Sequence, residues 1–282
     1  MKKTLYDYKR KIEKLPVKDK YTKEELLTED FLIDKENNIE IYYAPHNEYI
    51  NHKAKILIVG ITPGFIQMNT AISTARKELE NNNDIEDIQY KCKVSGRFSG
   101  SLRKNIISML DEIKLNEALN LKSCRELFDK KDYLMHTVSL IPYPVFVKKQ
   151  NYTGHTPKLL KSDFLMKYVY ENFINEIHEL DDFEDILLIP LGKAVEEVLC
   201  KLKDEKFIKE NQILMGFPHP SGANVNRLVQ LEENKKSMID FIKKPYLKMI
   251  RFCYLFYQYI NYKLNLILLK LRQLLGKKKF YL

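Results

Sequence analysis

The stretch Lys55-Ile-Leu-Ile-Val-Gly-Ile-Thr-Pro-Gly-Phe-Ile-Gln67 decides the fold. Four consecutive branched apolar residues, 56–59, predict a strand that is buried on both faces, as in the middle of a parallel sheet. A Gly-x-x-Pro-Gly turn then ends the strand abruptly. Because ligands bind outside the carboxyl ends of such strands, we expect the turn from Gly60 to Gly64 to carry chemistry. The alternative is a tight strand-to-helix connection without chemistry.

Composition bounds the class of protein and of partner. The chain has 282 residues and 45% hydrophobic content, which is enough to bury a sizeable core. Its net charge of +9 favours a polyanion or an anionic surface as partner. The alternative is a lysine-rich composition that serves only solubility.

The cysteines form no metal-binding pattern. They lie far apart, no C-x-x-C pair occurs, and no histidine stands at ligand spacing: Cys92, Cys124, Cys200 and Cys253. We therefore expect no metal ion and no cofactor. Unpaired thiols are typical of a reducing cytoplasm, where we expect the protein to work. No signal peptide is recognised at the start of the sequence, so Asn151-Tyr-Thr153 is interpreted as an idle glycosylation match.

Strands alternate with helices along residues 55–245. After the central strand, buried strands are predicted at 133–141, 186–191 and 212–217, and residues 39–44 alternate well enough for an earlier strand. The pattern predicts a three-layer α/β/α domain around a mostly parallel, four-stranded sheet.

Extensions flank this domain on both sides. We divide the chain into an N-terminal helical extension (1–36), the α/β domain (37–245) and a basic amphipathic C-terminal helix (246–282). The C-terminal segment is too often interrupted by Lys and Arg to span a membrane. It could lie on a membrane, line a DNA groove or pack on its own domain, and packing on the domain is the commonest outcome.

Three loops contain residue types that suit binding or catalysis. Residues 145–158 are rich in Tyr, His, Pro and Gly and exceed a simple connector in length. Residues 218–227 follow the last predicted strand. Residues 94–102 precede a predicted helix at 102–113, where backbone amides suit an anion, although a flexible surface loop is the commoner alternative.

Together these motifs resemble the uracil-DNA glycosylase superfamily. Gly60-Ile-Thr-Pro-Gly64 resembles its G-x-[DN]-P-[YG] water-activating loop, and His219-Pro-Ser-Gly-Ala-Asn-Val-Asn-Arg227 resembles its H-P-S-P-L-S-x-x-R loop. Between them lie three weaker matches in the family's order: Arg97-Phe-Ser-Gly-Ser-Leu102 (its F-S segment), Leu134-Met-His136 (its L-L-N strand) and Gly192-Lys-Ala194 (a helix start). The resemblance covers about residues 40–245 and implies the superfamily's fold and its DNA glycosylase activity.

The resemblance also implies a role for each matched residue. His219 would donate to the carbonyl oxygen at C2 of a leaving pyrimidine, and Thr62 would place the attacking water. The flipped base would stack on Phe98 in a pocket formed by Gly60, Ile61, Gly64, Phe65, Phe98 and His136. The phosphates flanking the flipped nucleotide would be held by Arg97, Ser99, Ser221, Asn224 and Arg227.

Four positions depart from the family's pattern. Thr62 replaces Asp or Asn, and a hydroxyl is a poor general base. Gly64 replaces a bulky Tyr of the strictest uracil enzymes and leaves space beside C5 of a pyrimidine. His136 replaces the uracil-reading Asn, whose paired donor and acceptor an imidazole does not reproduce; a buried core histidine is the alternative. Ala223 replaces the Leu that holds the duplex open in the family. Without this side chain we expect a preference for single-stranded or weakly paired DNA.

We therefore expect a monomeric, monofunctional, metal-independent DNA glycosylase that acts on a modified or damaged pyrimidine. Relatives with atypical pockets include prokaryotic antiviral enzymes that excise hypermodified phage cytosines, and the resemblance permits such a role. One alternative is ordinary uracil repair. The other is a catalytically silent DNA-binding module, because Thr62 removes the usual water activator.

Overall fold

The computed structural model describes residues 2–98 and 100–243, together with Lys263 and Ile267. Apart from these last two positions, the predicted C-terminal helix over 246–282 lies outside the described residues. Within the described ranges, no helix is both long enough and apolar enough to cross a bilayer.

Strands and helices follow one another along the chain. The strands are β1 (Leu32–Glu36), β2 (Ile39–Tyr42), β3 (Ile56–Gly60), β4 (Met135–Ser139), β5 (Val145–Val147), β6 (Gln150–Asn151) and β7 (Leu187–Pro190). The α-helices are α1 (Leu5–Glu13), α2 (Lys23–Leu26), α3 (Phe65–Glu80), α4 (Ile85–Gly96), α5 (Ser101–Glu112), α6 (Leu115–Ala118), α7 (Asp163–Tyr168), α8 (Asn175–His178), α9 (Lys193–Asp204) and α10 (Arg227–Ile242). A π-helical stretch, Val169–Ile174, joins α7 to α8.

A parallel sheet in the order β4-β3-β7 forms the centre of the fold. β3 pairs with β4 from Ile56↔Met135 to Gly60↔Ser139, and it pairs with β7 on its other side, starting at Ile56↔Leu187. Because β3 has a neighbour on each side, its apolar residues 56–59 are fully buried. The predicted buried central strand is confirmed.

The prediction of a fourth parallel strand at 212–217 is wrong. Glu210–Gln212 forms a 3-10 turn, and Ile213 makes only an isolated parallel bridge with Leu188. The Leu214 N–H donates to the Leu188 carbonyl oxygen at 2.9 Å, and the pairing with β7 does not extend beyond this point. The side chains of Leu214 and Phe217 are buried in the core, so their apolar pattern reflects burial and not strand pairing. The parallel sheet of the described chain therefore has three strands.

Helices cover both faces of this sheet. Leu57 and Val59 of β3 join one apolar cluster with residues of α7, α8 and α9, whereas Ile56 and Ile58 join another with residues of α5 and α10. Successive side chains of a strand point to opposite faces, so one strand contributes to both clusters. This is the predicted three-layer α/β/α arrangement.

A second sheet is antiparallel, in the order β1-β2-β5-β6. The strand predicted at 39–44 belongs to this sheet, as β2, and does not join the parallel one. β1 falls within residues 1–36, where only helices were predicted, and the ring of Tyr8 in α1 stacks on Tyr43 with centroids 3.8 Å apart. The N-terminal segment therefore packs against the domain.

Candidate active site

The turn at residues 60–64 lies at the carboxyl edge of the parallel sheet. The segment that follows β4 runs beside this turn. The N–H groups of Leu140 and Ile141 donate to the carbonyl oxygens of residues 60 and 61, each at 2.9 Å. α3 starts directly after the turn, and the Gln67 side chain accepts the Gly64 N–H at 3.0 Å. The turn is thus fixed on both sides.

The Thr62 hydroxyl is engaged by the protein. It donates its proton to the Tyr143 carbonyl oxygen at 2.6 Å and accepts the Val145 N–H at 3.1 Å. These two bonds tie the turn to β5. A hydroxyl has one proton and two lone pairs, so Thr62 retains a single acceptor position for a water molecule.

Asn151 of β6 also contacts the turn. Its side-chain oxygen accepts the Phe65 N–H at 2.9 Å. A Cβ built on Gly64 would lie 3.6 Å from the amide nitrogen of Asn151, which is ordinary van der Waals contact. The space beside Gly64 is therefore bounded by an exposed amide.

The loop after β6 packs against the turn at 60–64 through Gly154. It has a φ of +87°, and a Cβ at this position would lie 2.1 Å from Ile61 Cδ1 and 3.1 Å from Ala194 Cβ. Glycine is needed here for the backbone angle and for the close approach. The next residue, His155, is thereby held at the edge of the sheet, near the start of α9.

His219 reaches the same edge from the loop before α10. It packs on Gly192, the turn residue between β7 and α9, where a Cβ would lie 2.8 Å from the His219 Cβ. Gly192 has a φ of +88°, and its N–H donates to the Phe217 carbonyl oxygen at 3.1 Å. The turn after β7 therefore positions the backbone that carries the imidazole.

The imidazole of His219 is poised as a neutral hydrogen-bond donor. Its Nδ1 accepts the Ser221 N–H at 3.2 Å, so the proton of the neutral ring resides on Nε2. Although part of the side chain is exposed, desolvation by the surrounding protein and the nearby His155 lower the His219 pKa. The ring is therefore neutral at physiological pH, with an Nε2–H available to a ligand.

Neighbouring elements brace the His219 loop. The Asn105 amide of α5 donates to the Pro220 carbonyl oxygen at 2.7 Å. The buried Glu196 carboxylate of α9 accepts the Gly216 N–H at 2.5 Å. Within the loop, the Asn224 amide donates to the His219 carbonyl oxygen at 3.1 Å. These bonds fix the start of the loop and link its middle to His219.

The remaining polar residues of this loop lie at the surface. Ser221 Oγ accepts the Ala223 N–H at 3.2 Å, and Arg227 makes a long bond of 3.4 Å to the Asn224 carbonyl oxygen. Val225 is 81% exposed at the tip of the loop. Ser221, Asn224 and Arg227 are half-buried residues of the loop that carries His219.

The other predicted site residues lie elsewhere. Arg97 is buried and faces Asp132, with 3.5 Å between its terminal nitrogen and the carboxylate. Phe98 is buried in the apolar cluster beneath α5, and Ser99 lies outside the described residues. His136 is buried at the start of β4. None of the three described residues reaches the surface that carries His219 and Arg227.

His136 belongs to a buried charged cluster. Its Nε2 lies 2.9 Å from a carboxylate oxygen of Glu176, and its Nδ1 accepts the Asn51 N–H at 3.5 Å. Burial and the charge of Lys93 lower the His136 pKa to about 4. Burial opposes ionisation of Glu176, but the His136 hydrogen bond and the charges of Lys2 and Lys93 lower its pKa to about 2. The cluster thus pairs a neutral imidazole with a carboxylate.

Two residues of this edge carry no functional motif of their own in the sequence. Asn151 matches only a glycosylation pattern, and His155 is one residue of the long loop at 145–158. The signal that could have marked His155 is the Gly-His pair inside a loop of functional length. Its proximity to His219 depends on the packing of Gly154 against Ile61, which no local pattern encodes.

The described ranges contain no group of three or more His, Cys, Asp or Glu side chains arranged to hold a metal ion. The polar groups that the described structure places at the carboxyl edge are the Nε2–H of His219, the backbone of the turn and exposed amides. Such an arrangement can stabilise negative charge that develops on a bound group.

Comparisons with known proteins identify relatives of the chain. It matches no protein-family model. Lysine–tRNA ligase of Campylobacter jejuni (strain RM1221) is 25% identical over 230 residues, which cover 76% of this chain and 45% of the ligase. Among solved structures, wild-type SMUG2 of Pedobacter heparinus aligns with a TM-score of 0.41 and 16% identity, over 84% of this chain and 97% of that chain.

A much stronger match is the uncharacterized protein YoxB of Bacillus subtilis (strain 168). The two sequences are 42% identical over 234 residues, which cover 83% of this chain and 90% of YoxB. At this identity and coverage, the chain belongs to the same protein family as YoxB.

Proposed function

We propose that this protein is a monofunctional, metal-independent DNA glycosylase of the uracil-DNA glycosylase superfamily. It excises a flipped pyrimidine base and leaves an abasic site. The observation that carries the proposal is the neutral imidazole of His219, which offers its Nε2–H at the carboxyl edge of a parallel sheet, where the turn at 60–64 also lies. The order of the sequence motifs supports the same function.

The proposed reaction uses this donor on the leaving group. When the C1′–N1 bond breaks, its electron pair stays on the base, and the sugar becomes oxocarbenium-like. His219 donates its Nε2–H to the carbonyl oxygen at C2, where part of the negative charge develops. Water then adds to C1′ and loses its proton to solvent or to the departed base. A neutral donor suits this step because it does not depend on protonation of the imidazole at neutral pH.

Thr62 is assigned a supporting role. Its proton is committed to the Tyr143 carbonyl oxygen, so it cannot donate to a water, and a hydroxyl is a poor base. It can accept one hydrogen bond from the water that attacks C1′. Stabilisation of the leaving base then provides most of the rate acceleration.

A pyrimidine with a substituent at C5 is the proposed substrate. Gly64 has no side chain to fill the space beside it, and the exposed Asn151 amide that borders this space suits a polar substituent. Ser221, Asn224 and Arg227 hold the DNA through its phosphates. The exposed side chain of Val225 contacts unpaired bases. The protein works as a monomer in the cytoplasm on single-stranded or weakly paired DNA, for which base flipping costs less.

A panel of oligonucleotides tests this function. The bases are uracil, 5-substituted cytosines and glucosylated cytosines, each in single-stranded and paired DNA, and the readout is alkali-labile abasic sites. Cleavage at a 5-substituted or glucosylated cytosine supports the proposed substrate, and the glucosylated arm tests the link to phage DNA. Cleavage at uracil alone would establish uracil repair.

A catalytically silent DNA-binding module is the second candidate. The commitment of the Thr62 proton to Tyr143 favours it, because no group at this turn then replaces the family's water activator. Salt-dependent binding of the panel without any abasic sites would establish this candidate and contradict the glycosylase.

A further inference from the structure

A cavity of about 140 Å³ lies at the outer edge of β4, apart from the candidate active site. Residues of α4, of the loop before β3 and of the start of β4 line it, and none of them belongs to the turn at 60–64, to residues 150–155 or to the His219 loop. Two buried cations, Lys93 and Arg97, line this cavity. Neither the cavity nor Lys93 takes part in the proposed excision.

Arg97 brings unsatisfied donors to the cavity. The residue is only 6% exposed, its one ion pair to Asp132 is long, at 3.5 Å, and its Nε–H has no partner among the described residues. Its guanidinium also lies over the ring of Phe128, at 5.8 Å, which offers no conventional acceptor. A guanidinium has five N–H groups, and buried donors without partners are rare because each is costly. We therefore expect the cavity to hold an acceptor.

Lys93 adds a second donor. Its side-chain nitrogen donates to the Thr137 carbonyl oxygen, on the open edge of β4, and to the Asn47 side-chain oxygen at 3.1 Å. A protonated ammonium has three N–H groups, so one is left beyond these two bonds.

Several acceptors that line the cavity already receive hydrogen bonds. A single oxygen of Asp132 receives the Tyr90 hydroxyl at 2.8 Å as well as Arg97. The Asn51 amide donates to the backbone carbonyl oxygens of Tyr133 and Met135, at 2.8 and 3.1 Å. Two positively charged side chains, Lys93 and Arg97, therefore face Asp132, the one carboxylate among the residues that line the cavity.

We propose that this cavity binds one small oxyanion, of the class of phosphate, sulfate or a short carboxylate, between the Arg97 guanidinium and the Lys93 ammonium. Its volume is similar to that of cavities that hold benzene, which accommodates a tetrahedral anion and a water molecule or two. Tyr90 and Tyr133, which are 39% and 41% exposed, form the rim and leave access from solvent. Oxyanions accept hydrogen bonds and donate few, which suits the unpartnered Nε–H of Arg97 and the remaining N–H of Lys93.

Protonation of Lys93 is coupled to this site. Burial lowers the Lys93 pKa to about 7, and the charges of Lys2 and Arg97 act in the same direction, against the opposite effect of Glu176. A bound anion favours the protonated ammonium, so binding above pH 7 takes up a proton and weakens as pH rises. The titratable and charged groups packed around Lys93 from other elements are Lys2, His46, His136 and Glu176, and Arg97 lies on its own helix end.

Calorimetric titration of the full chain with sulfate tests the proposal, because the charge of sulfate does not change near pH 7. Phosphate, acetate and thymidine 5′-monophosphate form the other arms, and chloride at equal ionic strength is the reference. Arg97→Gln removes the charge at the cavity, and Arg10→Gln, at an exposed arginine of α1, is the matched control. Thermal melting of the wild type in the same anions needs no variant.

We expect one site per chain. Arg97→Gln should weaken binding by about 10-fold to 100-fold, the usual effect of losing hydrogen bonds to a charged group, whereas Arg10→Gln should bind like the wild type. A hundredfold excess of anion over Kd should raise the wild-type melting temperature by about 5 to 10 °C. Lys93→Met should abolish the weakening between pH 7 and 9.

The different anions also distinguish a free inorganic anion from a nucleotide phosphate as the occupant of the site. Tighter binding of thymidine 5′-monophosphate than of phosphate, lost in Arg97→Gln, would support the site and make a nucleotide its occupant. No anion-specific shift in the wild-type melting temperature would overturn the proposal even if Arg97→Gln failed to fold. Binding that is equal in Arg97→Gln and the wild type would also overturn it.

Discussion

Gly192 and His219 are in direct contact, so closely that a Cβ on Gly192 would lie 2.8 Å from the His219 Cβ. This contact joins the end of β7 to the loop that carries the imidazole. The position of the proposed catalytic donor therefore depends on a residue without a side chain, 27 positions earlier in the chain.

Gly192→Ala should displace His219 and reduce excision. The φ of +88° is strained for alanine, by roughly 1–2 kcal/mol, and the added methyl group collides with the His219 backbone and Cβ. We expect a lower melting temperature and a marked loss of kcat. Gly222→Ala is the control, because a Cβ at Gly222 would meet nothing within 4 Å. Equal losses in the two variants would contradict a specific role for the Gly192 contact.

Thr62→Val should reduce stability more than it reduces chemistry. The change removes both hydrogen bonds of the hydroxyl and leaves the Tyr143 carbonyl oxygen and the Val145 N–H without it, at a cost of about 1–3 kcal/mol. Thr62→Ser keeps both bonds and should resemble the wild type. Urea unfolding and single-turnover excision would be measured side by side. A Thr62→Val variant of full stability but without activity would show that Thr62 acts on the water directly.

His136→Asn should destabilise the fold without changing base preference. Both ring nitrogens already have protein partners, and the variant leaves the Glu176 carboxylate buried without its imidazole, at a cost of about 3–5 kcal/mol. Comparison with Glu176→Gln and the double variant measures the coupling. The second readout is the ratio of kcat/KM for uracil against a 5-substituted cytosine. A shift in this ratio at unchanged stability would assign His136 to the base pocket.

Lys93 should make the protein more stable at alkaline pH. Its pKa is about 7 in the folded state, against 10.5 for an unperturbed lysine side chain, so between these values the unfolded chain binds more protons. The free energy of unfolding then rises with pH, by up to about 1.4 kcal/mol per pH unit. Below pH 7 both states bind the proton and this contribution is constant.

Urea unfolding at pH 7 and pH 9, in chloride buffers, measures this slope. Lys93→Met should remove most of it, whereas Lys104→Met, at an exposed lysine of α5, should retain it. An unchanged slope in Lys93→Met would show that Lys93 is not the group responsible.

The centre of the fold was predictable from local pattern. Residues 56–59 are apolar without interruption, and a strand with neighbours on both sides is the structure that buries such a run. Residues 212–217 carry a similar run, yet Leu214 and Phe217 enter the core without extended pairing. An apolar run predicts that the segment is buried, but it does not determine whether the segment pairs with a neighbouring strand.

The candidate site was predictable only where one loop carries it. His219 and its loop stood out because their residues are contiguous in sequence. His155 did not, because Gly154 must first pack against Ile61, more than 90 positions away. Arg97 lies in a segment that resembles a DNA-binding motif, but its guanidinium is buried beside Asp132, which follows α5 in the chain.

The proposed mechanism depends on a hydrogen bond from His219 to the leaving base. Single-turnover excision of the base that the oligonucleotide panel identifies, by His219→Ala, tests it most directly, with His178→Ala at an exposed histidine of α8 as the control. We expect His219→Ala to lower the excision rate by about 10²–10³-fold, with DNA affinity nearly unchanged, because the donor acts on charge that develops in the transition state. A rate equal to that of His178→Ala and the wild type would contradict the claim.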